Sequence, residues 1–258
     1  MSARGVSPVN PFDFRGASVM VTGASRGIGA ACARRFAEAG ADIIGLATST
    51  ESLAQTRAVV EGLGRRFTGL AAHLGVRCEV YRVLADLCDH VPDALVHAAG
   101  INRRSPVGEF PDDDWDEVLA VNLTAPFILT RELGRGMVAR GSGKVVFLAS
   151  MLSFQGGLTI PAYAASKGGI AQVTKSFANE WARLGVNVNA VAPGYVDSDM
   201  NTALKNDPTR LRQISERIPS GVWATPSQIA DAVMYLCSPA ASYVHGTVLC
   251  ADGGWLGR

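Results

Sequence analysis

Short apolar runs alternate with longer amphipathic stretches along most of this chain. The runs Ser18–Thr22, Ala41–Ala47, Ala94–His97 and Lys144–Ala149 are mostly hydrophobic, which is typical of strands buried on both faces of a parallel sheet. In the stretches between these runs, apolar residues recur at spacings of three and four, which indicates helices. Strands that alternate with helices in this way predict an α/β fold with a parallel sheet.

The third strand has two candidate positions, Phe67–Ala71 and Cys78–Leu84. A crossover to the next parallel strand needs about a dozen residues, and the second position leaves too few before Ala94. We therefore predict the strand at Phe67–Ala71. The crossover helix then has an apolar face formed by Val76, Val80, Val83, Leu84, Leu87 and Val91.

The rest of the chain continues the same alternation. We predict one domain over residues 1–258, because the chain contains no internal repeat, linker or low-complexity segment. Residues 195–225 mix polar side chains with proline and glycine, and predict a substrate lid of short helices and loops. The other predicted strands are Val186–Val191 and Thr247–Ala251, and the other predicted helices end at Ala39, span Glu51–Leu63, begin at Phe110–Trp115, span Ala162–Leu184 and span Pro226–Cys237.

Composition and charge argue against several classes of protein. With 258 residues, 48% hydrophobic residues and 28 glycines, the chain can form one core with tight turns. A net charge of +1 without a basic cluster argues against nucleic-acid binding. No apolar run approaches the ~18 residues of a membrane span, and residues 1–16 lack the apolar core of a secretory signal, so we expect a cytoplasmic protein.

The cysteines and histidines are dispersed along the chain. The five cysteines contain no Cys-x-x-Cys pair, and the four histidines do not cluster. We therefore expect neither a disulfide framework nor a metal site.

A glycine-rich turn follows the first strand. Gly23, Gly27 and Gly29 separate Ser18–Thr22 from an amphipathic helix, which is the order of elements that a nucleotide site needs. The glycines allow a tight turn and a close approach of the backbone to a pyrophosphate, which the N-terminus of the helix then binds. The spacing Gly-x-x-x-Gly-x-Gly differs from the commoner Gly-x-Gly-x-x-Gly of dinucleotide sites.

Tyr163 and Lys167 are the candidate catalytic pair. On a helix they stand at i and i+4, on the same face. A neighbouring ammonium stabilises a phenolate and lowers the tyrosine pKa toward the range in which proton transfer is useful. Ser150 follows the buried run Lys144–Ala149, at the edge of the sheet where ligands bind in open α/β folds. Asn122 lies inside an otherwise apolar predicted helix.

Taken together, Thr22–Gly29, Asn122, Ser150, Tyr163-x-x-x-Lys167 and Pro193-Gly194 resemble the motifs of the short-chain dehydrogenase/reductase family, in the same order. The resemblance runs from about Phe14 to the C-terminus. It implies a Rossmann-like, doubly wound sheet of seven parallel strands and a nicotinamide cofactor.

The resemblance also implies roles for the four catalytic residues. Tyr163 would be the acid or base at the substrate oxygen, and Ser150 would hold that oxygen. Lys167 would lower the tyrosine pKa and bind the nicotinamide ribose, and Asn122 would hold a water for proton relay. The implied reaction is hydride transfer between the cofactor and a carbonyl or alcohol carbon.

The cofactor is expected along the C-terminal edge of the sheet. Two departures from the family pattern concern this region, because many relatives have aspartate at the position of His73 and Asn-Asn-Ala-Gly at His97–Gly100. The residues expected to bind the cofactor are Gly23, Ser25, Arg26, Gly27, Ile28, Gly29, Thr48, Ala99, Gly100, Tyr163, Lys167, Pro193, Gly194, Val196 and Ser198.

The end of the second strand favours NADP over NAD. Sites for NAD usually have an acid there to bind the ribose hydroxyls, whereas this chain continues from Leu46 to Ala47, Thr48 and Ser49. Arg26 is positioned to pair with a 2′-phosphate, and Ser25 and Thr48 to donate hydrogen bonds to it. NAD remains the alternative, with Glu51 reaching the ribose.

The substrate is expected to be a small hydroxylated acid. Arg103 and Arg104 follow the fourth strand and offer forked donors to a carboxylate. Stretches around Ser150–Gly157, Arg217–Trp223 and Asp252–Leu256 resemble the gluconate and 2-deoxygluconate dehydrogenases of the family, although some of these have arginine at the position of Thr159. The residues expected to contact the substrate, a sugar acid such as gluconate or 2-keto-3-deoxygluconate, are Arg103, Arg104, Ser150, Gln155, Tyr163 and Trp223.

Two other functions remain open at this point. The glycine loop and Ala47–Ser49 also resemble the 3-oxoacyl-[acyl-carrier-protein] reductases of the same family, which act on thioesters. A cofactor-binding regulator without catalysis is a further alternative, but it would need no Tyr163 and Lys167 in register.

We also expect self-association. Members of the family mostly form tetramers through the last strand and paired helices. The apolar run Thr247–Ala251, followed by Trp255 and Leu256, is suited to burial against a partner. The alternative for Trp255 is that it covers the active site of its own subunit.

Overall fold

The computed structural model describes residues 10–88, 90–198, 201, 204 and 206–258. Residues 1–9 and part of the predicted lid lie outside this range. The first of these belong to the predicted domain and to residues 1–16, for which no secretory signal is expected. Seven strands form one parallel sheet in the order β3-β2-β1-β4-β5-β6-β7, which confirms the predicted doubly wound, Rossmann-like α/β fold. The strands are β1 Ser18–Thr22, β2 Asp42–Ala47, β3 Phe67–Ala71, β4 Ala94–His97, β5 Gly143–Leu148, β6 Val186–Pro193 and β7 Val248–Ala251.

Helices cover both faces of the sheet. No helix among the described residues is long and apolar enough to cross a membrane. The helices are α1 Gly27–Glu38, α2 Ala54–Gly62, α3 Arg77–Asp86, α4 Asp112–Leu119, α5 Ala125–Arg140, α6 Pro161–Trp181, α7 Pro208–Arg217 and α8 Pro226–Cys237, and a π-helical segment, Ala120–Thr124, joins α4 to α5.

The two faces of the sheet bury separate cores. On β1, Val19 and Val21 pack into the core beneath α1 and α8, whereas Met20 packs into the core beneath α5. Successive side chains of a strand point to opposite faces, so a strand covered on both faces must be apolar at every position. This is the physical reason why the strands stand out in the sequence as continuous hydrophobic runs.

The ambiguous third strand lies at Phe67–Ala71, as predicted, and Cys78–Leu84 belongs to α3. The structure differs in the element that contains Asn122. The sequence pattern predicts one regular helix there, but α4 gives way to the π-helical turn before α5 begins. The extra residue in this turn changes the direction of Asn122 relative to the flanking helices, which a 3.6-residue period cannot reveal.

Two left-handed glycines meet where β5 and β6 begin. Gly141 ends α5 with φ of 73°, and Gly185 precedes β6 with φ of 81°. A Cβ at Gly185 would lie 2.1 Å from the carbonyl oxygen of Gly141. The two chain reversals can therefore pack together only because Gly185 has no side chain.

We expect Gly185→Ala to destabilise the fold by at least about 3 kcal/mol, because the methyl group adds a backbone clash to the cost of the left-handed conformation. Gly64→Ala is the matched control, since Gly64 has φ of 71° and open space around its Cβ position. We expect Gly64→Ala to lower the free energy of unfolding by only about 1 kcal/mol. Urea unfolding measures both values, and equal losses would show that the contact with Gly141 does not constrain the fold.

Candidate active site

The carboxyl ends of β1, β4, β5 and β6 bring the predicted site residues to one edge of the sheet. In the strand register, Thr22 stands beside His97, His97 beside Phe147, and Leu148 beside Val191. The segments that follow these strands therefore lie side by side. They contain Gly23–Gly29, Ala98–Ile101, Ser150 and Pro193–Ser198.

The glycine turn is packed against the segment after β4. Gly23 has φ of 68°, and a Cβ there would lie 2.7 Å from the Cα of Ala99. A Cβ at Gly29 would lie 2.1 Å from the carbonyl oxygen of Gly23. The backbone amide of Ala99 donates a hydrogen bond to the hydroxyl of Thr22 over 3.1 Å, which joins the two segments directly.

The start of α1 fits a pyrophosphate. At Gly27, with φ of 56°, no other atom comes within 4 Å of a Cβ position, so a ligand can approach the backbone. The N-cap residue, Arg26, makes no side-chain cap hydrogen bond, and the first turn contains no acid. A phosphate group would thus meet unshielded backbone N–H groups and the positive end of the helix dipole. Ser25 and Ile28 are partly buried in the same turn.

The end of β2 contains no acidic side chain. Thr48 is exposed directly after the strand. Glu51 accepts a hydrogen bond from Thr50, and hydrogen bonds from the Glu51 backbone, Ser49 and Thr50 lower the pKa of its carboxyl group. The nearby Glu51 is therefore ionised and engaged by its own loop.

Asn122 ties the segment after β4 to the helices behind it. Its side chain is buried, accepts a hydrogen bond from the amide of Ile101 (2.8 Å) and donates one to the carbonyl of the same residue (2.9 Å). It also donates to the hydroxyl of Ser166 (3.2 Å) on α6. This pairing mimics a strand and fixes the backbone at Gly100, where a Cβ would lie 3.4 Å from Asn122 Oδ1 and 3.8 Å from Lys167 Nζ.

Ser150 and Tyr163 face each other across the site. The Ser150 hydroxyl caps the turn Met151–Ser153 by accepting a hydrogen bond from the amide of Leu152 (3.2 Å). Burial raises the pKa of the Tyr163 phenol, and a side-chain hydrogen bond with Ser150 acts in the opposite direction. The tyrosine is therefore protonated at neutral pH in this arrangement, and ready to donate to a substrate oxygen.

The sequence analysis expects the Lys167 ammonium to lower the pKa of Tyr163, but in the structure the ammonium points elsewhere. Its Nζ donates to the carbonyl oxygen of Leu148 over 2.6 Å and lies 5.5 Å from the centre of the Tyr163 ring. Burial lowers the pKa of Lys167 to about 8. Because the charged group is directed at the end of β5, burial and the Ser150 hydrogen bond govern the phenol instead.

His97 is a buried polar residue for which sequence reasoning gave no role. Its Nε2 shares a hydrogen bond with the hydroxyl of Thr130 (2.8 Å), its ring stacks on Phe147, and its Nδ1 has no partner in the described part of the chain. Burial, and secondly the charge of Lys167, lower its pKa to about 3. A neutral imidazole thus lies at the first position of His97–Gly100, one of the two places where the sequence departs from the expected family pattern.

The two adjacent arginines have different environments. Arg103 pairs with Glu117 (2.7 Å) and Asp114 (3.4 Å) on α4, so its guanidinium is committed to that helix. The prediction that Arg103 or Arg104 binds a carboxylate stays a prediction, and these ion pairs favour Arg104 for that role. Arg104 is exposed and has no ion pair with any described residue. The amide of Ser105 donates to the carbonyl of Thr159 (3.0 Å), which holds the arginine loop against the loop after β5.

The other predicted substrate residues lie beside the same edge. Gln155 is partly buried in the loop after β5. The ring of Trp223 lies 5.0 Å from that of Tyr195 at a tilted angle, and its Nε1 donates to Ser215 (3.2 Å) on α7. Trp255 is 5% exposed and packs within its own chain against α7, which favours the alternative to burial against a partner.

The segment after β6 completes the edge. The amide of Gly194 donates to the carbonyl of Ala251 (3.0 Å), and a Cβ at Gly194 would meet the Cα of Asp252 at 2.7 Å. Val196 is buried and pairs with Ala224, which anchors both ends of residues 195–225. Pro193 ends β6, and Ser198 is partly buried.

The buried ammonium of Lys167 predicts a pH-dependent stability. Between pH 8 and 10.5 the unfolded chain keeps a proton that folded Lys167 has released, so the folded state gains stability as pH rises through this window. We expect the free energy of unfolding of the wild type, relative to Lys167→Met, to increase by about 2–3 kcal/mol from pH 7 to pH 10. The same difference between the wild type and Lys175→Met, a variant at an exposed position of the same helix, should not change with pH. If both differences changed equally with pH, Lys167 would not be the source of the effect.

Comparison with known proteins agrees with this geometry. A short-chain dehydrogenase family model described as enoyl-(acyl carrier protein) reductase matches residues 23–256. The chain is 47% identical to a 2-dehydro-3-deoxy-D-gluconate 5-dehydrogenase of Pseudoalteromonas atlantica, over 96% of this chain and 98% of the relative.

Two solved structures are similar along their whole length. A putative NAD(P)-dependent gluconate 5-dehydrogenase from Beutenbergia cavernae, with bound NADP at low occupancy, superposes with a TM-score of 0.94 at 42% identity and covers 96% of this chain and 100% of its own. A gluconate 5-dehydrogenase from Burkholderia cenocepacia, in complex with NADP and tartrate, gives 0.91 at 33% identity and covers 96% and 98%. The chain therefore belongs to the short-chain dehydrogenase/reductase family of NAD(P)-dependent oxidoreductases.

Proposed function

We propose that this enzyme interconverts a secondary hydroxyl and a ketone on a sugar acid such as gluconate or 2-keto-3-deoxygluconate, with NADP as its cofactor. The observation that supports this proposal most strongly is that Ser150 and Tyr163 lie within hydrogen-bonding reach of each other, while the loop that contains Arg104 is held against the loop after β5 by the bond from Ser105 to Thr159. The names of the relatives point to the same substrate class.

Each side chain of the site has a separate role in the proposed reaction. A bound nicotinamide cofactor supplies or accepts the hydride. In the reductive direction the protonated Tyr163 donates its proton to the ketone oxygen, and in the oxidative direction its phenolate form takes the hydroxyl proton of the substrate. Ser150 holds the same oxygen by a hydrogen bond and orients the carbon for transfer.

Lys167 and Asn122 support this proton transfer. The Lys167 ammonium, already near the Gly100 backbone, would bind the nicotinamide ribose. Its depressed pKa, about 8, allows it to exchange protons close to neutral pH. Asn122 would hold a relay water beside it, while its side-chain hydrogen bonds keep Ile101 in place.

NADP is supported by the surroundings of the adenosine ribose. No acid at the end of β2 would repel a 2′-phosphate, because Thr48 stands there and Glu51 is engaged by Thr50. Thr48, Ser25 and Arg26 would bind the phosphate. Gly23, Gly27 and Gly29 would admit the pyrophosphate. The remaining predicted cofactor residues would contact the rest of the cofactor, between these glycines and the end of β6.

A carboxylate substrate is supported by Arg104. Its guanidinium stands at the entrance without an acidic partner among the described residues, whereas Arg103 is neutralised by α4. Gln155 and Trp223 would contact the carbon chain.

A second candidate function is reduction of 3-oxoacyl thioesters. It is favoured by the 38% identity, over 244 residues, to a 3-oxoacyl-[acyl-carrier-protein] reductase of Vibrio harveyi. Arg104, which has no ion pair with any described residue, favours a sugar acid over a thioester as the substrate. A regulator without catalysis is disfavoured because Asn122, Ser150, Tyr163 and Lys167 are all present at one edge.

We also propose a homotetramer. β7 is an edge strand of the sheet, and Trp115 and Phe127 remain more than a third exposed on the helices α4 and α5. Edge strands and apolar helix faces of this kind favour association. A monomeric mass in sedimentation at micromolar concentration would contradict this state.

Tyr163→Phe should lower kcat with a sugar acid by about 10²–10⁴-fold, because it removes only the proton-transfer group. NADPH binding, measured by fluorescence, should persist. Tyr243→Phe is the control, since Tyr243 is 97% exposed. Near-normal turnover by Tyr163→Phe would contradict the mechanism, and turnover of 3-oxoacyl thioesters but of no sugar acid would favour the second candidate.

Thr48→Asp should raise KM for NADP at least about 10-fold while changing KM for NAD much less, because the new carboxylate repels the 2′-phosphate. Thr68→Asp places the same charge on an exposed position of β3 and should leave the ratio of the two KM values unchanged. Tighter binding of NAD(H) by the wild type, or an unchanged preference in Arg26→Ala, would contradict NADP as the cofactor.

A further inference from the structure

A small third core lies directly beside the catalytic edge. It contains Met151, which follows Ser150, together with Ile214, Ile218 and Trp255. Tyr195, which follows Gly194 at the end of β6, packs against the same cluster. The face of α7 that covers this core is therefore a wall of the substrate cleft.

Three aromatic rings form a cluster in this wall. Tyr195 lies 5.0 Å from Trp223 at a tilted angle and meets Trp255 edge-on at 5.1 Å. Trp223 is held by its hydrogen bond to Ser215. The ring of Tyr195 thus contacts both indoles.

Two arginines of α7 lie on the face of this helix that covers the aromatic cluster. Arg210, Ile214 and Arg217 are spaced four and three residues apart, so they point in the same direction. Because Ile214 is buried in the third core, the arginines on either side of it border that core. The guanidinium of Arg217 lies 4.0 Å above the centre of the Trp255 ring, which keeps its plane in place.

The described residues provide no anion for these cations. Neither Arg210 nor Arg217 forms an ion pair with any of them, and the indole nitrogen of Trp255 is buried without an acceptor among them. Burial raises the pKa of Tyr195, while the charges of Arg210, Arg217 and Arg104 act to lower it. A guanidinium offers five N–H donors, so this wall has a large excess of donors over acceptors.

We propose that Arg210 and Arg217 of α7, beside the aromatic cluster of Tyr195, Trp223 and Trp255, form the subsite that binds the substrate carboxylate. Arg104 faces the same subsite from the entrance after β4. The inference rests on the proposed function and deepens it, because it makes α7 the element that selects an acid over a neutral polyol. Forked, charge-assisted hydrogen bonds to a planar guanidinium supply that selectivity.

Arg217→Gln and Arg210→Gln test the subsite by kinetics with D-gluconate and with the uncharged polyol D-glucitol, and by calorimetric binding of each to the NADP complex. Each variant should weaken binding of gluconate, and kcat/KM for it, by about 10–100-fold, and change values for glucitol less than about twofold. Arg217→Lys should recover part of the loss. Arg212→Gln, at an exposed position of the same helix, is the matched control.

The outcomes separate the subsite from the proposed function. If the wild type turns over sugar acids and both variants match Arg212→Gln with gluconate, the subsite is wrong and the function stands. If the wild type oxidises no sugar acid but binds gluconate in a way that depends on Arg210 and Arg217, the subsite stands and the function is wrong. Equal losses for gluconate and glucitol would mean that the arginines act only on folding, which thermal unfolding would show, and would also overturn the subsite.

Discussion

The hydrogen bond between the ammonium of Lys167 and the carbonyl oxygen of Leu148 fixes the relation between α6 and β5 on which the rest of the site depends. It joins the helix that contains Tyr163 to the strand that precedes Ser150, and so determines how the phenol meets the serine hydroxyl. The same lysine is 5% exposed, and a buried ammonium is stable only with strong acceptors around it. The enzyme therefore keeps a costly charge where it organises the reaction.

A second constraint is the close approach of backbones around the cofactor region. Gly23 lies against Ala99, and Gly29 lies against Gly23, at distances that no side chain would tolerate. Asn122 supports this region from behind by hydrogen bonding to both polar backbone groups of Ile101. The strand ends thus form a rigid floor, whereas residues 195–225 form a wall built on a separate core.

Sequence reasoning predicted the fold well, because a doubly covered sheet requires apolar strands and leaves a continuous hydrophobic signal. It predicted the positions of Ser150 and Tyr163 from strand ends and helical spacing, which are local properties. It could not predict that Arg103 pairs with Asp114 and Glu117, since that depends on where α4 docks. It also missed Arg210 and Arg217, because only tertiary packing turns that face of α7 toward Tyr195.

The π-helical turn Ala120–Thr124 gives the position of Asn122 a simple origin. Such a turn equals a regular helix with one residue inserted, and each residue of an α-helix advances the side chains by about 100°. Deleting one residue would restore a regular helix and rotate Asn122 away from Ile101. A single insertion, rather than a substitution, is thus sufficient to convert an ordinary helix into the support of an active site. Length variation among related chains at this point would therefore change the chemistry without changing the identity of any catalytic side chain.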